Sequence, residues 1–209
     1  MFGCLGACGG VCGVIASNAG DGVDWGGGVG GPLGALRAVG VALMVGSVVR
    51  CAFAASVQWL PRRLGGRRPV TGRWWMWIAP VLVVITFVLR LFGIDWASYT
   101  GGVIATTFLA GLFVGIAEEV LTRGIVVTLL RRHGYREWAV AVLSSLVFAL
   151  LHTTNLLSGQ ALVTVLGTIG FAFGFGMMMY LTLRVTGNLV WPIILHALTD
   201  PSTILATGG

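Results

Sequence analysis

A chain of 209 residues that is 56% hydrophobic and only 10% charged, with a mean hydropathy of +0.93, cannot cover itself as a soluble globule, in which about a quarter of residues are charged. Its net charge of +6 does not signal nucleic-acid binding: all thirteen basic residues are Arg, set in short loops beside apolar runs, where positive charge orients a membrane protein. The apolar runs are continuous rather than alternating, which argues against a β-barrel and predicts an all-α fold, a polytopic transmembrane helical bundle of about six spans.

Residues 1–32 are Gly-rich and read as a flexible tail, because ordering so many glycines is entropically costly. Cys4, Cys8 and Cys12 in this tail have no His or carboxylate close enough to suggest a metal site. Residues 33–209 form the predicted transmembrane domain. The first span is expected at about 35–60, with Arg37 and Arg50, followed by a loop carrying Arg62, Arg63, Arg67, Arg68 and Arg73. A second span is expected at about 74–94, opening on Trp74, Trp75 and Trp77, as an interfacial aromatic belt would. The third runs from about 103 to 130, the fourth from 137 to 152 and the fifth from 160 to 183. A sixth helix begins near 189, interrupted by Pro192 and Pro201, since proline removes a backbone donor. Loops 61–73, 131–136 and 184–188 carry nine Arg between them and fall on one side, two spans apart. The positive-inside rule makes that side cytoplasmic and leaves both termini outside, as in a multi-pass protein of a bacterial plasma membrane.

Ionisable residues inside these spans carry the functional signal. A charge at membrane depth costs about 2.5–3.5 kcal/mol even on lenient scales. Glu118 and Glu119 are adjacent in the third span, so they point about 100° apart and at most one is expected to face a given partner. Glu119 and Arg123, at i and i+4, share a face and can pair. Counting from the Arg-rich loops at about 1.5 Å per residue, Glu118, His152 and His196 lie roughly 20, 24 and 18 Å deep. Asp200 is one turn beyond His196 on the same face. Three helices thus bring Glu, His and His to one level, as a shared polar cavity within the bilayer requires. A carboxylate there can take a proton from water, and a His can orient that water or donate to an oxyanion. The same groups could hold zinc, with Glu118, His152, His196 and Asp200 as ligands. No metal or other cofactor is required by this reading, and only His196 and Asp200 have a helical ligand spacing. His-Glu-x-x-His, Gly-x-Ser-x-Gly and Gly-x-Gly-Asp are all absent from the sequence.

Glu118-Glu119-Val120-Leu121-Thr122-Arg123, Phe148-Ala149-Leu150-Leu151-His152 and His196-Ala197-Leu198-Thr199-Asp200 follow one another in this order. Together they resemble the Glu-Glu-x-x-x-Arg, Phe-x-x-x-His and His-x-x-x-Asn/Asp motifs of the CPBP family (CAAX prenyl proteases and bacteriocin-processing proteins). The resemblance covers a core of about residues 100–200. It implies an all-helical intramembrane endopeptidase acting on a membrane protein, a peptide or a prenylated peptide within the lipid bilayer. It also implies that Glu118 activates water with help from His152, that His196 and Asp200 polarise the scissile carbonyl or the water, and that Glu119 and Arg123 brace the site. Thr122 stands where many members carry an aromatic residue. Asp200 stands where prenyl-protein proteases usually carry Asn, and an Asp donates a hydrogen bond only when protonated. Two other classes compete: a proton-coupled transporter or channel, which would show internal repeats that this sequence lacks, and a non-catalytic scaffold or immunity protein of the same fold.

Overall fold

Trp74–Trp77 forms a 3-10 turn that leads into α1, Ile78–Gly93, and all three tryptophans at this end are exposed. The computed structural model describes residues 73–156 and 160–207. The predicted tail 1–32 and first span 35–60 lie outside the described residues. Among those described, every regular element is helical. Helix α2, Gly101–Glu119, starts at Thr100, whose Oγ1 accepts from the Val103 amide at 3.3 Å, a side-chain cap on an otherwise orphan donor. It passes without a break through a π-helical stretch, Val120–Val126, into α3, Val127–Arg132. Helix α4, Glu137–Leu151, continues as a 3-10 turn, His152–Leu156. Helix α5, Leu162–Thr186, ends on Gly187 in the left-handed conformation, φ +66°, whose N–H reaches the Leu183 carbonyl at 2.9 Å, a closure suited to a residue without Cβ. Helix α6 is Val190–Thr207.

Four of these stretches, Trp74–Gly93, Gly101–Arg132, Glu137–Leu156 and Leu162–Thr186, are long and apolar enough to cross a membrane. They correspond to the second to fifth predicted spans, and the chain is an integral membrane protein. Helix α6 is not among the four, and the prolines do not interrupt it as expected. Pro192 sits in its first turn, where a missing N–H breaks no intrahelical bond. Pro201 lies inside the helix, yet the helix runs on to Thr207, held by its packing against α2.

That packing sets up the site. Helices α2 and α6 lie against one another over most of their length, antiparallel, with Tyr99 beside α2 donating to the Leu205 carbonyl near the end of α6 at 3.1 Å. Gly111 and Gly115, four apart on α2, form the seam. A Cβ on Gly115 would stand 3.1 Å from both the Ala197 nitrogen and the Ile193 carbonyl, and one on Gly111 would stand 3.0 Å from the Ala197 carbonyl. Small residues at this spacing let helices approach closely where no hydrophobic effect drives them together. One turn further along α2 come Glu118 and Glu119, and α6 there presents His196. Helix α4 packs on α5, and α1 packs on α5 and α6, with most of its Ile, Val, Leu and Phe side chains facing outward.

Candidate active site

His196 is the hub of a buried ionic cluster. Its Nδ1 lies 3.0 Å from Glu119 Oε1, and its Nε2 lies 3.3 Å from Asp200 Oδ2, one turn along α6. Glu118 Oε2 stands 3.9 Å from the same Nε2. The sequence argument that two adjacent glutamates cannot serve one partner is therefore corrected. The imidazole meets them through different edges, Nδ1 toward Glu119 and Nε2 toward Glu118. Neutral imidazole carries one proton, so two ionised carboxylates on opposite nitrogens require either a second proton on the ring or a proton on one carboxyl group.

Glu119 is also the anchor for Arg123, as its i, i+4 spacing predicts. Oε1 lies 3.0 Å from Arg123 Nη1, and both side chains are fully buried. Arg123 is then tied in three further ways. Its Nη1 donates to Thr122 Oγ1 at 2.6 Å and its Nη2 to the Gly176 carbonyl on α5 at 2.7 Å. Its guanidinium lies over the Phe148 ring, 4.6 Å from the centroid, a cation–π contact. Thr122 in turn donates to the Glu118 carbonyl at 2.6 Å. A buried charge needs partners of this kind; of the pair's polar atoms, Arg123 Nε and Glu119 Oε2 have no hydrogen-bond partner. The π-helical stretch begins right after Glu119 and includes Arg123; such local widening of a helix is common at functional sites.

The remaining walls are aromatic. Phe148 lies 5.6 Å from the His196 ring and 5.3 Å from the His152 ring, and Phe175 of α5 lies 5.2 Å from His196. The Phe of the second motif thus packs against both histidines and the arginine. Phe175 belongs to no motif and was not foreseen; no spacing rule would single it out among the apolar residues of α5.

His152 ends α4, its Nδ1 3.1 Å from the Phe148 carbonyl. It is buried, and it makes no hydrogen bond to His196 or Asp200. Glu118 differs from the rest of the cluster. Its side chain keeps 14% of its surface exposed, while its Oε2 has no hydrogen-bond partner. Glu119 Oε2 is also without a hydrogen-bond partner, but its side chain is fully buried, so Glu118 is the glutamate that has both an unused acceptor and some exposed surface.

The donor set does not fit a metal. Among the described residues no three His, Cys, Asp or Glu side chains are arranged to hold an ion, and both nitrogens of His196 already face carboxylates. No step below is routed through zinc.

A helical membrane protein with a buried Glu–Glu–Arg brace, two histidines and an aspartate on neighbouring helices is the class that these observations define. The family model for type II CAAX prenyl endopeptidase Rce1-like proteins matches residues 100–201, about half the chain, and spans all three motifs; this segment belongs to that family of proteases. No curated protein and no solved structure gives a significant match.

Proposed function

We propose that this protein is an intramembrane endopeptidase of the CAAX type that hydrolyses a peptide bond with a water activated by Glu118. The observation that carries the proposal is the unpartnered Glu118 oxygen, 3.9 Å from an imidazole that is itself fixed by Glu119 and Asp200. Glu118 takes the proton of the attacking water, and His152, at the end of α4, assists in orienting it. The scissile carbonyl oxygen is polarised from the side of His196 and Asp200 as negative charge develops on it. The proton then passes from Glu118 to the leaving amine. Glu119 and Arg123 do no chemistry; they hold Glu118 and His196 at fixed separation, which matters because a misplacement of about 1 Å can cost about a hundredfold in rate.

The rest of the reading follows from a site at this depth. The substrate is a membrane-associated protein, a peptide or a prenylated peptide that enters a polar cavity between the helices. The chain crosses a bacterial plasma membrane about six times, with the Arg-rich loops in the cytoplasm. Catalysis is of the glutamate type, independent of metal.

Purified protein incubated with prenylated peptides and single-span membrane proteins, read by mass spectrometry, tests this. Wild type is expected to cut at defined bonds, Glu118→Gln is expected not to, and a strong chelator is expected to change nothing. Identical peptide maps for wild type and Glu118→Gln would remove the hydrolase reading. Loss of cutting in chelator would replace the glutamate mechanism with a metal-dependent one.

A further inference from the structure

Helix α5 carries none of the three motifs, yet two consecutive residues near its middle touch the site. The Gly176 carbonyl accepts from Arg123 Nη2 at 2.7 Å. The Phe175 ring lies 5.2 Å from the His196 ring and stands nearly perpendicular to it, at 76°. The hydrolytic scheme gives Phe175 no part. Distances among three rings fix where it stands. Phe148 lies 5.6 Å from His196 at 67° and 6.1 Å from Phe175 at 40°. Three such separations close a triangle, so both phenyl rings back the same side of the imidazole. Aromatic pairs prefer separations and steep angles of this kind. Each phenyl ring is fixed from elsewhere. Phe148 also carries the Arg123 guanidinium and the His152 ring. Phe175 belongs to an apolar cluster with Val83 of α1, Met179 of α5 and Leu195 of α6.

The polar contacts of His196 are of another kind. Its Nδ1 faces Glu119 at 3.0 Å, its Nε2 faces Asp200 at 3.3 Å, and Glu118 stands 3.9 Å from the same Nε2. These contacts strengthen and weaken as protons move among three carboxylates and one ring, because each group donates or accepts according to its protonation. An apolar wall keeps its shape whichever group holds the proton. We propose that Phe175 is a positioning residue for His196: with Phe148 it fixes the tilt of the imidazole, so that Nδ1 stays on Glu119 and Nε2 stays toward Glu118 and Asp200 while protons move. A helix without motifs thereby supplies a support for the ring at Phe175 and for the arginine at Gly176. The effect of Phe175 on cleavage rests on the hydrolase reading; its hold on the imidazole does not.

The test replaces Phe175 by Leu, which keeps apolar bulk without the ring, and by Tyr, which keeps the ring. Phe171→Leu, which removes a half-exposed ring from the same helix, is the control. Each variant is read by kcat and KM for the peptides that wild type cuts and by its unfolding midpoint in detergent. A third readout is the ring-nitrogen NMR signals of 15N-histidine-labelled protein, whose positions report the hydrogen bond at each nitrogen. Phe175→Leu is expected to lower kcat about tenfold, the most that loss of one aromatic contact costs, with KM near wild type and the His196 signals moved. Phe175→Tyr should restore both kcat and the signals, and Phe171→Leu should change neither. In a folded Phe175→Leu, unchanged kcat, unchanged His196 signals or a loss confined to KM would each overturn the proposal. So would a folded Phe175→Tyr that behaves like Phe175→Leu. If Phe175→Leu does not fold, Phe175→Met, whose flexible side chain fills irregular gaps, is read for the same outcomes. Should wild type cut no peptide, His196 signals that move in Phe175→Leu and return in Phe175→Tyr would still support the positioning role while the hydrolase reading falls; signals that stay in place would end the positioning role too.

Discussion

Two ionic clusters sit at different levels of the helical bundle, both drawing on the continuous stretch Gly101–Arg132. One joins Glu118, Glu119, Arg123, His196 and Asp200. The other gathers around Glu137 at the start of α4, where Arg131 of α3 lies 2.8 Å away and Arg184 and the Tyr180 hydroxyl of α5 also bond the carboxylate. The residue types are nearly the same, but Glu137 keeps 48% of its side-chain surface exposed, whereas Glu119 and Arg123 keep none. At the helix ends, long arginines can reach polar surroundings and pairing with Glu137 adds little. In the core, each charge must find its partners inside the protein, and breaking one pair leaves the other member stranded. The Glu137 cluster fastens helix ends; the buried cluster carries a cost that the proposed hydrolytic function would explain.

Substitutions can break or sharpen this contrast. Arg123→Met should have the largest effect, since it strands Glu119, the Gly176 carbonyl and Thr122 together; a loss of about 3–5 kcal/mol is expected, visible as a large fall in unfolding midpoint together with loss of cleavage. Glu118→Gln should separate chemistry from stability: cleavage drops by about a thousandfold, as for loss of a general base, while the unfolding midpoint stays near wild type. An equal fall in both would make Glu118 structural. Gly115→Val should push α2 off α6, costing about 1–3 kcal/mol as overpacking does and weakening cleavage through a displaced His196; unchanged unfolding and kinetics would show that the seam tolerates a wider separation. Glu137→Gln should matter least, below about 1 kcal/mol, with cleavage intact. A loss as large as that of Arg123→Met would erase the distinction between the clusters.

How far the sequence carried these conclusions can be judged residue by residue. The four long apolar helices were legible because a continuous hydrophobic run has few other solutions in lipid. The Glu119–Arg123 pair was legible from helical spacing alone. Contacts between helices were not. Nothing in spacing says that Glu119 also binds His196, 77 positions away, or that Phe175 flanks that ring, because these depend on how helices pack. Proline rules misjudged α6: they describe a helix in isolation, and this one is clasped against Gly111 and Gly115. The depth estimate did bring Glu118 and His196 to one level, though it could not say which ring nitrogen faces which carboxylate.

The Arg123–Gly176 contact has a consequence for how the molecule can vary. The acceptor is a main-chain oxygen, so no replacement of a side chain can delete it, and a scan that trims residues one at a time would pass over it. What a change at this position can do is intrude: a Cβ would stand 3.1 Å from Arg123 Nη2 and 3.2 Å from the Ser145 Cα. The codon is thus constrained by volume while the chemistry belongs to the peptide bond. Replacing the peptide link that carries this carbonyl by an ester, or forcing alanine into the gap, would be the two ways to hear from an atom that ordinary mutagenesis leaves silent.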